Sequence, residues 1–301
     1  MASVLDGDSA AGIQRVRNRF DDPIAKAELY LRRNARSLVS YTSSGAIVRE
    51  NFAQILILEQ THDSQLISYV SYPRLANFFQ GDGMLTTKFF PCDVDTTSIY
   101  MTVADDYDIA IAHSVLDEML TYRNSNGIIQ VYFDHDRPRT DPVVCLNVLT
   151  AFYYFGRGSD PRIEATLEWV HDTLSDRTFA NGTRYYATAE TFLYFFSRFL
   201  ACAKDLRDRF SDLLRDRLME RIGCKGDPLA LAMRILACAS VGIINEVDGR
   251  TLRAMQHAEG HWGPGWFYRY GSSGILIAND GLTTAFAINA LRVLRDSMDV
   301  P

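Results

Sequence analysis

The stretch Phe89-Phe90-Pro91-Cys92-Asp93-Val94-Asp95-Thr96-Thr97-Ser98 decides how this chain is read. Asp and Thr are favoured helix N-caps, and the apolar run Ile99-Tyr100-Met101-Thr102-Val103-Ala104 follows at once. The spacing therefore predicts a buried helix with two carboxylates at its mouth. A helix start exposes unpaired N–H donors and partial positive charge, which can orient and tune acids placed there. Such a pair suits metal, phosphate or proton chemistry.

Outward from that stretch the same arrangement recurs. A glycine turn, a short irregular or aromatic stretch and a cap-type residue lead into a small apolar helix. This happens from Gly83 to Asp95-Thr96-Thr97, from Gly127 to Asp141-Pro142, and from Gly182 to Thr188. It happens again from Gly226 through Asp227-Pro228, and from Gly260 to Gly281-Leu282-Thr283-Thr284-Ala285, with a weaker first copy at Gly45. Polar amphipathic segments lie between, at Tyr107 to Arg123, Ile163 to Leu174 and Leu206 to Arg221, and read as an outer layer. The glycine intervals of 38, 44, 55, 44 and 34 residues are too uneven for identical solenoid units and fit helix pairs with variable loops. Six such pairs predict an all-α (α/α)6 barrel, a toroid that gathers the inner-helix N-termini around one cavity. Ile128-Ile129-Gln130-Val131-Tyr132-Phe133 is the one good strand candidate. A further helix is expected between Gln14 and Leu38, with a new start at Asp22-Pro23. Residues 1–12 read as a disordered tail and residues 13–301 as a single domain.

At 301 residues and 47% hydrophobic content the chain can bury a sizeable core, and its net charge of −6 argues against a nucleic-acid surface. The start lacks the order of a signal peptide, and the longest apolar run, Leu229 to Ile244, is broken by Arg234. A cytoplasmic protein without stable membrane insertion is expected. The five cysteines, Cys92, Cys145, Cys202, Cys224 and Cys238, lack CxxC pairing and read as core thiols. The run Asp134-His135-Asp136 offers no recognised ligand spacing and reads as a solvated loop, so no metal site is expected.

The segment Gln256-His257-Ala258-Glu259-Gly260-His261-Trp262 resembles the QW repeat of the triterpene and class II terpene cyclase superfamily, where Gln and Trp brace a helix end. Asp93-Val94-Asp95-Thr96-Thr97 resembles the DxDTT variant of that superfamily's DxDD general-acid motif. The variant is found in drimane-type sesquiterpene cyclases, including fungal enzymes fused to a haloacid-dehalogenase-like phosphatase. The segments from Asp136 to Val144 and from Tyr268 to Ser272 are similar to that group as well, so the resemblance spans roughly residues 45 to 295. It implies an (α/α)6 domain, protonation-initiated cyclisation of an isoprenoid, and Asp95 as the acid. The chemistry makes the same demand: protonating an alkene needs a carboxyl kept neutral in a dry cavity, and a second carboxylate beside it favours one shared proton. Asp93 is then expected to orient Asp95, while Thr96 and Thr97 cap the helix or hold the acid's second oxygen.

Carbocations must be held away from water, and aromatic faces contribute roughly 0.5–2 kcal/mol each. Phe89, Phe90, Tyr100, Tyr132, Phe133, Phe192, Trp266 and Tyr268 are the candidates for such a wall. A substrate diphosphate would meet basic residues, for which Lys88, Arg137, Arg139, Arg157 and Arg269 are candidates, with Mg2+ entering only through that diphosphate. Asn147 on an inner helix can orient a water or an intermediate. The phosphatase of the fused relatives has no counterpart in these residues, which points to a separate phosphatase if the diphosphate is removed. The leading expectation is a class II-type cyclase that converts a linear prenyl substrate, foremost farnesyl diphosphate, to a bicyclic drimane-type product. The alternatives are a cyclase or isomerase of a diphosphate-free terpenoid or meroterpenoid, and a non-catalytic toroid binding a lipid or partner. The last requires Asp93 and Asp95 to be exposed or salt-bridged, with no closed apolar cavity behind them.

Overall fold

The computed structural model describes residues 22–298 apart from Tyr72, Met84, Lys88, Asp105 and Asp106; the predicted tail 1–12 lies outside the described residues. In chain order the elements begin with α1 (Pro23–Arg33), β1 (Ser40–Thr42), β2 (Ile47–Val48), α2 (Phe52–Thr61), α3 (Val94–Val103) and α4 (Ile109–Met119). Next come α5 (Pro142–Tyr154), a 3-10 turn at Pro161–Ile163, α6 (Glu164–Asp176), α7 (Ala189–Ala201) and α8 (Lys204–Met219). The chain finishes with α9 (Pro228–Ser240), α10 (Glu246–Ala254), β3 (Trp266–Arg269), β4 (Leu276–Ala278) and α11 (Asp280–Met298).

The cap-type residues after the glycine turns do start helices, although Thr188 makes no side-chain cap bond at the start of α7. Asp93 accepts from Thr96 N, Asp141 from Val143 N, Asp227 from Ala230 N and Asn279 from Leu282 N, so each satisfies donors the helix leaves unpaired. The helices that follow are buried on nearly all sides; in α5 every residue from Val143 to Phe152 is buried. A helix of that kind belongs between neighbours. Indeed α2 packs against α3, α3 against α5, α5 against α7, α7 against α9, α9 against α11, and α11 against α2. The amphipathic helices lie outside these: α1 on α11, α6 on α5, α8 on α7, and α10 on both α9 and α11.

The fold is mostly helical, and it differs from the all-α expectation in one place. Four short antiparallel strands form a sheet in the order β2-β1-β4-β3, with Tyr41 opposite both Ile47 and Ala278, and Tyr268 opposite Ile277. Residues 128–133 do not form a strand. Their backbone bonds are scattered: Ile129 N donates to Thr166 Oγ1, Gln130 N to Tyr122 O, Val131 N to Arg139 O and Phe133 N to Cys92 O. No single neighbouring strand receives them, and only isolated bridges result, between Asp93 and Tyr132 and between Arg123 and Ile129.

Two buried anchors fix the helix layers. Gln256 donates to Pro23 O at 2.8 Å and Gly260 O at 2.9 Å, while fully buried Trp262 donates its ring N–H to Leu252 O at 2.7 Å and its backbone N–H to Thr284 Oγ1 at 3.1 Å. The QW-like segment thus ties α1, the end of α10 and α11 together. Only glycine fits at 260, where φ is +99° and a Cβ would stand 2.6 Å from Lys26 O. The second anchor is Arg234, the residue that interrupts the apolar run of α9. It is fully buried and donates to Asp248 at 2.8 Å and to Glu190 at 3.0 Å, joining α9 to α10 and α7. Among the described residues no helix is long and apolar enough to cross a membrane. All five cysteines are free; Cys145 and Cys238 are buried, whereas Cys202 is exposed and is no core thiol.

Trp262→Ala should cost about 3–5 kcal/mol through the lost ring volume, and Gln256→Ala about 1–3 kcal/mol through two orphaned carbonyls. Denaturant midpoints check this; a change under about 0.5 kcal/mol in either variant would show that the brace is idle.

Candidate active site

The first turn of α3 sets the site. Asp93 Oδ1 accepts the Thr96 backbone N–H at 2.6 Å, and the carboxylate is buried. Two residues on, Asp95 is met from two neighbouring segments. Asn147 Nδ2, on α5, donates to Asp95 Oδ1 at 2.8 Å, and the Tyr186 hydroxyl, just before α7, donates to Asp95 Oδ2 at 2.5 Å. Asp95 is 7% exposed, and Asn147 and Tyr186 are 1% exposed.

Burial raises the Asp95 carboxyl to about 8; the Tyr186 and Asn147 hydrogen bonds pull it down, while the charge of Asp93 pushes it further up. Burial also raises Asp93, to about 6, against the hydrogen bonds from Thr96. Burial therefore favours the protonated form at both acids, and at Asp95 the charge of Asp93 adds to it. Among the described residues no hydrogen bond joins the two carboxyl groups, so Asp93 acts on Asp95 through its field instead of through a shared proton. The threonines also differ from expectation. Thr97 accepts from Ala76 N at 2.9 Å and donates to Ala76 O at 3.3 Å, so it braces the loop, and the acid's second oxygen belongs to Tyr186. Thr96 gives its backbone N–H to the Asp93 cap and lines the cavity.

In front of the acids lies a cavity whose empty space, open mouth included, is about 920 Å³. Its wall is aromatic: Phe52, Phe78, Phe79, Phe90, Tyr132, Tyr185, Tyr186 and Tyr268 line it. The rings meet edge to face, Phe52 with Tyr268 at 6.0 Å, Phe78 with Tyr268 at 5.1 Å, Phe79 with Phe90 at 4.9 Å, and Phe90 with Tyr132 at 5.8 Å. Among the described residues the buried Tyr268 hydroxyl has no hydrogen-bond partner. Arg137, Arg139 and Arg269 also line the cavity. Arg137 pairs with Asp134 at 3.2 Å and sits over the rings of Phe90 and Tyr132; Arg139 reaches the Tyr185 hydroxyl at 3.5 Å.

Of the residues expected at the site, Asp93, Asp95, Thr96, Phe90, Tyr132, Tyr268, Arg137, Arg139 and Arg269 line this cavity, and Asn147 touches Asp95 from behind. Six others do not. Phe89 is 84% exposed and points away from it. Tyr100, five residues past Asp95, faces another side of α3, where it bonds Ser71. Phe133, next to cavity-lining Tyr132 on an irregular stretch, packs on Tyr122 instead. Phe192 stacks on Phe179 in the core, and Trp266 meets Tyr41 edge-on. Arg157 is occupied by Asp117 and Asp160, both at 2.8 Å. Lys88 lies outside the described residues. Missed entirely were Tyr186, Phe52, Phe78 and Phe79. The one available signal for Tyr186 was its place two residues before the Thr188 cap of a repeat. Another missed group is Glu50, raised to about 7 by burial and bonded by Ser40 and Ala53 N; its charge acts on Tyr268. Among the described residues no group of three or more His, Cys, Asp or Glu could hold a metal ion.

Asp95 is raised above its ordinary value of 3.8, so its contribution to stability is fully present below that value and is lost as pH rises through about 8. Asp95→Asn should therefore gain in Tm relative to the parent as pH is raised across this window, with little difference at acid pH. A parallel pair of Tm curves would show that Asp95 is not held un-ionised.

Residues 24–155 match the family described as the sesquiterpene cyclase astC-like C-terminal domain. Drimenol cyclase drtB of Aspergillus calidoustus is 40% identical over 293 residues, which is 97% of this chain and 55% of that protein. The chain thus spans about half the length of this curated relative. Among solved structures, the type II terpene cyclase MstE from Scytonema superposes with a TM-score of 0.62 at 13% identity, covering 93% of this chain and 99% of that one. An MstE variant in complex with geranylgeranyl dihydroxybenzoate gives a TM-score of 0.61 at 13% identity, over 93% and 98% of the two chains. A protein from Actinoplanes gives 0.62 at 15% identity, over 91% and 98%. Nearly the whole chain is therefore similar in sequence to a drimane-type cyclase, and its fold is that of the type II terpene cyclases.

Proposed function

We propose that this chain is the cyclisation domain of a protonation-initiated, class II-type terpene cyclase, with its six inner helices closed into an (α/α)6 toroid. The observation that carries the function is the Asp95 carboxyl: buried, holding its proton near neutral pH, braced by two donors and facing an aromatic cavity. The 40% identity to drimenol cyclase drtB supports a linear prenyl substrate, foremost farnesyl diphosphate, and a bicyclic drimane-type product. The closed order of inner-helix neighbours supports the toroid and a single domain.

In this reaction the distal alkene takes the Asp95 proton, a C–H bond forms and a carbocation is left on the chain. Two ring closures move the charge along the chain, a proton passes from carbon to water at the cavity's open mouth and restores a double bond, and a proton from solvent returns to Asp95 before the next turnover. The Asp95 carboxylate left behind is stabilised by Tyr186 O–H and Asn147 N–H, whose bonds strengthen as negative charge develops. Burial keeps the proton on until substrate arrives; the two donors make it leave more readily. Ring faces of the wall hold the cation and exclude water.

Arg137 and Arg139 are assigned to a substrate diphosphate, with Mg2+ as the counter-ion that diphosphate carries. Removal of the diphosphate falls to a separate phosphatase activity, and the setting is cytoplasmic. A non-catalytic toroid fits less well: Asp93 and Asp95 are 5% and 7% exposed, and among the described residues neither joins a salt bridge.

Incubation with prenyl diphosphates of several chain lengths, read by mass spectrometry with and without added phosphatase, should give a cyclic C15 product. Asp95→Asn should abolish turnover with an unchanged circular dichroism spectrum, and full activity in that variant sinks the assignment. Tyr186→Phe should lower kcat about 10- to 100-fold, the scale of one hydrogen bond to a charged group. Activity with farnesol and none with its diphosphate would move the assignment to a diphosphate-free terpenoid.

A further inference from the structure

We propose that Arg269 is a positioning residue that holds Tyr186 against Asp95, and that it is not an arm for substrate diphosphate. The inference rests on the cyclase function proposed above. Its basis is where the guanidinium donors go. Nη2 donates to Asn181 O at 2.7 Å and to Ala187 O at 3.2 Å, and Nη1 donates to Thr183 O at 3.2 Å. Both ends and the middle of the turn that carries Tyr186 are therefore gathered on one side chain. Three of its five N–H donors are spent on these bonds.

The turn needs such a clamp. Gly182 has φ +77°, and a Cβ there would stand 2.5 Å from Tyr186 O and 2.6 Å from Ala187 O, so carbonyls converge in a space too tight for a side chain. Arg269 N also donates to Tyr185 O at 2.8 Å, and Ala187 N donates to Phe267 O at 2.9 Å, which pins the turn along β3. On its other side Asp141, buried at the mouth of α5, accepts from Tyr185 N at 3.0 Å. Tyr186 thus sits between an arginine fork and a carboxylate anchor, and its hydroxyl ends 2.5 Å from Asp95 Oδ2. A planar fork can reach three carbonyls at once; a lysine ammonium cannot hold the same geometry. Diphosphate recognition then falls to Arg137 and Arg139.

The test compares Arg269→Lys and Arg269→Gln with Tyr186→Phe and Arg139→Gln in the full chain. Two quantities are read: kcat and KM for farnesyl diphosphate, and the infrared titration of the Asp95 carboxylic C=O band, identified by its loss in Asp95→Asn. The Arg269 variants should lose about tenfold or more in kcat, with KM changed by less than about threefold. They should also shift the Asp95 midpoint upward, in the direction Tyr186→Phe shifts it. Adding Arg269→Lys to Tyr186→Phe should cost little more than Tyr186→Phe alone. Gly182→Ala, whose Cβ would press on Tyr186 O and Ala187 O and disturb the turn without removing a charge, should reproduce the titration shift even if an Arg269 variant folds poorly. A KM raised about tenfold in the Arg269 variants, with kcat and the Asp95 midpoint unchanged, would make Arg269 a diphosphate ligand and overturn the proposal. A parent protein that turns over no prenyl substrate, yet shows the midpoint shift in Arg269→Lys, would remove the cyclase function and leave the positioning role standing.

Discussion

A carboxylic acid kept un-ionised inside the fold is the constraint on which the rest of this structure depends. Burying Asp95 without a partner for each oxygen would cost more than a single loop could offset, so two donors from different parts of the chain are brought to it. Asn147 arrives because α5 packs beside α3, and Tyr186 arrives because the turn before α7 is clamped from both sides. The capped starts of α3 and α5 and the turn before α7 all reach the same cavity, which makes this convergence possible. Asp93, Asp141, Asp227 and Asn279 each satisfy donors of the first turn they open.

How much of this was legible in the chain follows from how far apart the interacting residues are. Asp93 and Asp95 share one helical turn, and a cap followed by an apolar run is a local pattern, so their helix and their prominence could be read directly. The inner helices were legible for the same reason, each announced by its glycine turn and cap. Tyr186 meets Asp95 across 91 residues of sequence, and nothing in its immediate neighbours marks it as a ligand of an acid. Tyr100 and Phe192 were placed at the site on aromatic character alone, whereas the face a helical residue presents is set by how its helix is rotated in the bundle. The sheet escaped notice because its strands run only two to four residues, too short for alternation to register.

The stretch at 128–133 teaches the complementary lesson. Its β-branched and aromatic residues satisfy strand preferences, yet each backbone donor is taken by a different partner, and the segment serves as a strap across the mouths of α3 and α5. Propensity here described the side chains well and the pairing badly.

The position of Arg137 over Phe90 and Tyr132 gives the cavity an electrical direction. A guanidinium resting on a ring face draws on the same quadrupole that would otherwise attract a second positive charge. Those two rings are therefore poor hosts for a cationic carbon while the arginine stays in place. Elsewhere on the wall, Phe52, Phe78 and Tyr268 carry no such cation among the described contacts. The wall is therefore electrically uneven, and its Phe90–Tyr132 side is the less hospitable to a further positive charge.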